Sequence, residues 1–333
     1  MSTFNHSFSL KDSKHYNMIG MRAAYGLSLL KLKDIYPKLV VFTADTGTSA
    51  GLDRFKSAYP NDFFDCGIAE QALVAISSGF VATGEIALVS TFASFLVLRA
   101  AEQIRLSMGY MKLPLIITGL ASGTALGYLG YTHCCFEDIA LMSSIPNILI
   151  YTPSDSHELN LLLPNIISLR RPVYIRLTGS GKTTALHSSD FTTNLSDPIL
   201  LNSLGSRLLI LSSGVISSNA KCALHSLPEE VRKHVSLYLL PFLDYSSNLS
   251  NLLRLLARYE KVLVLDEGSF NGVPSFILKA ITDNKLSIKF FYSCHPFSYL
   301  ECGDHDFMLS QMNLDINSIS RTISVLTSDD GLD

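Results

Sequence analysis

Charge is scarce in this chain of 333 residues: Asp, Glu, Lys and Arg make up 17%, against 47% hydrophobic residues. That balance excludes a disordered, self-repelling chain. There is no basic block and the net charge is −3, so nucleic acid is not an expected partner. No apolar run is long enough to span a membrane, although the mean hydropathy is +0.28. No apolar leader segment is present either, so a cytoplasmic location is expected. The six cysteines, Cys66, Cys134, Cys135, Cys222, Cys294 and Cys302, form no C-x-x-C pair. Reduced thiols are the default reading. The apolar excess is expected in buried parallel strands or in large subunit interfaces.

The length is enough for two domains, each with its own core. Residues 1–15 are polar and aperiodic and read as a loose arm. Short runs rich in Val, Ile and Leu then alternate with helical patterns. Strands are expected at Leu39–Ala44, Ile86–Ser90, Leu115–Gly119, Ile148–Thr152 and Val173–Leu177. Helices are expected near 18–36, 69–83, 94–109 and 155–169. Pro114 and Pro172 stand at strand entrances, where a missing N–H is tolerated. The Ser-, Thr- and Asn-rich stretch 181–204 reads as a linker. A second alternating block follows over 205–333. Its strands are expected at Arg207–Leu211, Val235–Leu240, Val262–Asp266 and Lys289–Tyr292, with helices near 217–226, 247–258, 273–283 and 311–325. The pattern predicts an α/β protein of two doubly wound domains, the first over 16–180. In such sheets ligands meet the βα turns beyond the carboxyl ends of the strands.

Four such turns carry unusual chemistry. They are Ala44–Ser49, Cys66–Glu70, Ser90–Phe92 and the long Gly119–His133 loop. Glu70 opens an apolar helix. By itself it is an ordinary helix-start carboxylate that complements the helix dipole. Its neighbours Ala69, Ala72, Leu73, Val74, Ala75 and Ile76 offer a buried charge little polar support. Burial there would favour the protonated acid, which can donate a hydrogen bond. Phe92 and Phe95 stand one helical turn apart and serve either as core packing or as a platform for a flat heterocycle. Arg99 and Arg105 follow on the same helix, where surface or interface charge is the simplest role. His133 ends a loop containing Gly119, Gly123, Gly127 and Gly130. It can act there as acid, base or hydrogen-bond donor. Cys134 and Cys135 lack further ligands at metal-site spacing.

In this order the features resemble the transketolase family. The resemblance runs from about Met18 to Leu326 and corresponds to that family's pyrimidine-binding and C-terminal domains. It is carried by Met21-Arg22-Ala23-Ala24-Tyr25-Gly26, Phe63-Phe64-Asp65-Cys66-Gly67-Ile68-Ala69-Glu70-Gln71 and Ser90-Thr91-Phe92-Ala93-Ser94-Phe95. Thr132-His133, then Glu137-Asp138-Ile139-Ala140 and Ile145-Pro146-Asn147, complete it. The resemblance implies that thiamine diphosphate is the cofactor. Glu70 would hydrogen-bond N1′ of its aminopyrimidine. Phe95 would stack on that ring with Phe92 beside it, and Ile68 and Arg99 would complete the cofactor set. His133 would contact substrate oxygens, and Ser49 the phosphate of an acceptor.

The family's diphosphate site needs Gly-Asp-Gly and, further on, Asn-Asn, which hold Mg²⁺. This chain has neither. The resemblance therefore implies a separate subunit that carries both motifs, and an α₂β₂ heterotetramer, with no metal ligand expected in this chain. Leu129 stands where family members carry an Asp that reads a donor hydroxyl. Ala121 stands where transketolases carry a His, and Gly179 where an Arg meets the acceptor phosphate. These departures imply an altered substrate, a non-standard sugar or aldehyde in a biosynthetic pathway. The turn Asp266-Glu267-Gly268-Ser269 resembles a family turn in which a His replaces the Ser, in a domain expected to serve dimer contact. Two other readings stand beside ketol transfer. One is a β subunit of a 2-oxoacid dehydrogenase, and the other is a non-catalytic regulatory subunit.

Overall fold

The computed structural model describes residues 10–179, 181–187, 197–203, 205–244 and 249–328. Two sheets organise it. The first contains β1 (Leu39–Thr43), β2 (Phe63–Asp65), β3 (Ile86–Phe92), β4 (Ile116–Ser122), β5 (Leu149–Tyr151) and β6 (Val173–Thr178). The second contains β7 (Ile199–Ser203), β8 (Leu208–Ser212) and β9 (Val235–Leu239). The short β10 (Phe242–Leu243) returns to the first sheet, and β11 (Lys261–Ser269) and β12 (Lys289–His295) finish the second. The first sheet runs β10-β5-β6-β4-β3-β1-β2 and the second β12-β11-β8-β9-β7. Pairing is parallel throughout except for β10 with β5 and β7 with β9. This is the expected α/β architecture. The run of Val, Ile and Leu without polar alternation is explained by helices on both faces: β1, β4, β6 and β8 are buried along their whole length.

Several expectations are corrected. Residues 1–9 lie outside the described residues, but Leu10–Ile19 is a helix rather than part of a loose arm. The single helix expected over 18–36 is two, because Gly20 turns the chain at φ +81°. A Cβ at Gly20 would stand 2.6 Å from the carbonyl oxygen of Gly181, so only glycine fits. The helix expected near 94–109 is Ala93–Arg99 and Ala101–Ile104, followed by a π-helical turn over Arg105–Tyr110. The stretch read as a linker ends in β7, and residues 181–187 dock on the first domain. There the Leu186 N–H donates to Asp155 at 2.7 Å, and His187 meets the buried Glu158 at 2.9 Å. The helix expected over 311–325 is His305–Gln311 and Ile316–Thr327, because Asp304 and Asp315 each cap a new N-terminus. β2 and β10 are too short to announce themselves by periodicity. No helix among the described residues is long and apolar enough to cross a membrane.

One ion-pair cluster ties the sheets together. Arg176 on β6 is fully buried and pairs with Asp138 at 2.9 Å and with Asp266, on β11, at 3.1 Å. The Tyr174 hydroxyl donates to Asp138 at 2.8 Å. Burial is the largest influence on Asp266 and pushes its carboxyl up to about 6. Removing the guanidinium would leave two carboxylates in an apolar interior. Arg176→Met should lower the unfolding free energy by about 3–5 kcal/mol in urea titrations. A loss below about 1 kcal/mol would show that the carboxylates can reach solvent or each other's proton instead.

Candidate active site

The carboxyl edge of the first sheet gathers residues from three βα turns. β1, β2 and the helix Glu70–Ala82 are pinned by three rings. Phe42 lies 4.9 Å from Phe64 and 5.1 Å from Phe80, and Phe64 lies 5.0 Å from Phe80. One Asp65 carboxylate oxygen accepts from the Asp45 N–H at 2.8 Å and the Gly67 N–H at 3.0 Å, locking the turns after β1 and β2 together. Glu70 thus enters at the helix N-terminus, only 4% exposed. The dipole of that helix favours a negative charge there.

β3 ends in Phe92, and the helix Ala93–Arg99 begins at once. Arg99 returns over its own turn. Its guanidinium lies 4.0 Å from the centroid of Phe95 and donates to both Glu70 oxygens at 3.3–3.4 Å. Gln71 braces the same end by donating to the Arg99 carbonyl at 3.1 Å. The expectation that Glu70 lacks polar support is therefore corrected: a residue 29 positions away supplies it. Periodicity places Arg99 one turn after Phe95, but only the fold brings the helix Glu70–Ala82 beside it.

His133 arrives from the loop after β4. Its ring lies 5.4 Å from Phe95 and 6.2 Å from Phe92. Thr132 engages Nδ1 at 2.9 Å, so Nε2 is the nitrogen left to meet a ligand. Glu70, Arg99, Phe95, Phe92 and His133 form one cluster. Ile68 is exposed on the turn before Glu70, and Leu129 is exposed on the His133 loop. Ala121 is buried at φ +53° and packs with Ala125, Leu126 and Phe92.

Ser49 stands apart from this cluster. It lines a cavity of about 280 Å³ together with Arg22, Thr48, Gly51 and Gly179. Arg22 reaches across to the Ser49 carbonyl at 3.4 Å. Sequence reasoning missed this cation. Arg22 sits within a stretch that is easily quoted as a pattern, and nothing in its spacing shows that it faces Ser49 and Gly179. Among the described residues no three His, Cys, Asp or Glu side chains converge as a metal site. Burial pushes the Cys134 thiol up to about 11 and that of Cys135 well above the ordinary range, so neither is a ready thiolate.

The His133 loop also leans on the second domain. Phe136 stacks on His295 with ring centroids 3.7 Å apart, and its carbonyl accepts from the Ser269 N–H at 2.8 Å. Burial pushes the His295 imidazole down to about 4, from 6.5. A folded value below the unfolded one means that this group's stabilisation is complete above pH 6.5 and is lost as pH falls through about 4. His295→Phe should therefore flatten the decline in unfolding free energy between those pH values, measured by urea denaturation across the range. A decline as steep as that of the wild type would rule out this source of acid sensitivity.

Residues 17–180 match the family described as "Transketolase, pyrimidine binding domain". The "Putative transketolase C-terminal section" of Methanocaldococcus jannaschii is 36% identical over 158 residues, which are 47% of this chain and 50% of that protein. The chain thus matches half the length of that relative. One of the subunits of an apulose-4-phosphate transketolase from Phocaeicola vulgatus is 28% identical over 279 residues, 82% of this chain and 87% of that protein. Among solved structures, "Split gene transketolase, inactive beta4 tetramer" superimposes with a TM-score of 0.80 at 27% identity, over 93% of this chain and 99% of that one.

Proposed function

Since this chain belongs to the transketolase family through its pyrimidine-binding domain, we propose that it is one subunit of a two-chain, thiamine-diphosphate-dependent enzyme transferring a two-carbon ketol unit. The observation that carries this reading is the meeting of Glu70, Phe95 and His133, from three separate turns, at one sheet edge. The residues fit a flat, hydrogen-bonding heterocycle. A flat donor group, the Arg99 guanidinium, already stacks on Phe95 and bonds Glu70, and its side chain is half exposed and free to yield that place.

Bound thiamine diphosphate supplies an acidic thiazolium carbon and an electron sink. Glu70 holds the proton at N1′ of the aminopyrimidine, in a site where few waters compete for it. Phe95 orients the ring, with Phe92 and Ile68 at its sides, in the place that Arg99 yields. His133 presents Nε2 to substrate oxygens. The diphosphate and Mg²⁺ are held by a second polypeptide carrying Gly-Asp-Gly and Asn-Asn, in an α₂β₂ assembly. Two observations support that partner. Ile68, Ile76, Leu98, Leu106, Tyr110 and Met111 leave large apolar side chains exposed around the Glu70 helix and the segment after Phe95. A similar split transketolase chain is inactive as a β4 tetramer.

The substrate is a non-standard sugar or aldehyde. Leu129 is exposed on the loop that carries His133 and Ala121 packs against Phe92, both apolar, while Arg22 and Ser49 keep a corner suited to an anionic end. The relative whose name carries apulose 4-phosphate agrees with a substrate outside the common pentose phosphates.

The test is to co-purify the chain with its partner and assay cofactor-dependent cleavage of ketose phosphates. Glu70→Gln should lower kcat by about 10²–10⁴-fold, the usual worth of a positioned proton-transfer group. Equal turnover in wild type and variant, or turnover of pyruvate-like donors alone, would contradict the proposal. Arg22→Ala should raise KM for a phosphorylated acceptor by about 10-fold or more with little change in kcat, as expected for loss of one charge-assisted bond. An unchanged KM would mean that the acceptor end is uncharged.

A further inference from the structure

The loop carrying His133 belongs to the first domain in sequence but is shaped by the second. Its base is closed by mutual backbone bonds between Gly123 and Cys135, at 2.7 and 3.1 Å. The ring so closed is then held at successive points. The Thr124 hydroxyl bonds Glu267 at 3.2 Å and His305 at 2.8 Å. A Cβ at Gly127 would stand 2.7 Å from the carbonyl oxygen of Gly303, so the two backbones are in contact.

The hold nearest His133 is Tyr131. Its hydroxyl oxygen accepts from the Leu300 N–H at 2.5 Å and lies 3.3 Å from Nε2 of His295. The hydroxyl thus joins the Leu300 backbone to the His295 ring, and the His295 tautomer sets which of Tyr131 and His295 donates. His295 is itself fixed by its stack on Phe136. The Tyr131 ring adds an edge-to-face contact with Tyr299 at 4.6 Å. Between Tyr131 and His133 the chain has no slack: the His133 and Cys134 N–H groups both point to the Gly130 carbonyl, at 3.0 and 3.3 Å. A shift of Tyr131 therefore carries His133 with it.

We propose that Tyr131 and His295 are positioning residues for His133, and that the second domain acts on the active site through them. The Tyr131 hydroxyl sets where the His133 ring stands against Phe92 and Phe95. This rests on the reading of His133 as the group that meets substrate, but the geometric claim has its own readout.

The His133 Cε1–H signal is followed in a ¹H–¹³C spectrum of the full chain and assigned by its loss in His133→Ala. Lying against two phenylalanine rings, it should be displaced from the free-imidazole position in wild type. Tyr131→Phe keeps the ring contacts and removes both polar links; it should move the signal toward the free position and broaden it, with unfolding still cooperative. His295→Phe keeps the stack on Phe136 and removes the ring nitrogen that meets the Tyr131 hydroxyl, and should shift the signal the same way. An unmoved signal in both folded variants would overturn the proposal. In the assembled pair, Tyr131→Phe should lower kcat about tenfold, and cost nothing further once His133 is alanine. Additive losses would overturn the link to His133. A wild-type pair with no thiamine-dependent turnover would count against the proposed function, while the His133 signal would still decide the positioning claim.

Discussion

The guanidinium of Arg176 lies between two carboxylates that belong to different domains, and all three side chains are fully buried. Desolvating such a group is costly, so the arrangement persists only where every partner stays in place. Asp138 follows the His133 loop, and Asp266 lies near the end of the second sheet's longest strand, just before Glu267 and Ser269, which bond that loop. This buried cation is thus one of the links that join the second sheet to the base of the His133 loop.

From that constraint the rest of the site can be traced. The loop stands where His133 meets Phe92 and Phe95. The same Phe95 carries Arg99, and Arg99 reaches Glu70. The Glu70 carboxylate is thus held by a helix N-terminus, a cation and a ring-lined edge rather than by a single strong bond. That suits a group that must exchange one flat partner for another: the contacts at 3.3–3.4 Å are longer than the best charge-assisted bonds.

Much of the fold was legible because buried parallel strands leave a compositional trace. Val40, Val41, Ile116, Ile117 and Ile175 sit in runs without polar alternation, and two covered sheets follow from that. The three-residue β2 and the two-residue β10 left no such trace. The chain breaks at Gly20 and at Asp315 arise from a backbone clash and a side-chain cap, which a hydrophobic period does not register. Glu70, Phe95 and His133 were legible as a set through the motifs around them. Arg99 was named with the cofactor set, but its pairing with Glu70 was not legible, and Arg22 was missed, because each meets a neighbour distant in sequence. Tyr131 was silent for a further reason: its partners Leu300 and His295 come from the other domain. The C-terminal domain, expected to serve dimer contact, also touches the loop that carries His133.

The central claim is that Glu70 activates a cofactor whose diphosphate is anchored on another chain. The direct measurement is exchange of the thiamine diphosphate C2 proton with deuterated solvent, followed by NMR in the assembled pair with wild-type protein and with Glu70→Ala. The account predicts rapid exchange in the wild-type pair, and exchange at the rate of free cofactor both in the variant pair and with this chain alone. Equal exchange in wild-type and variant pairs would contradict it.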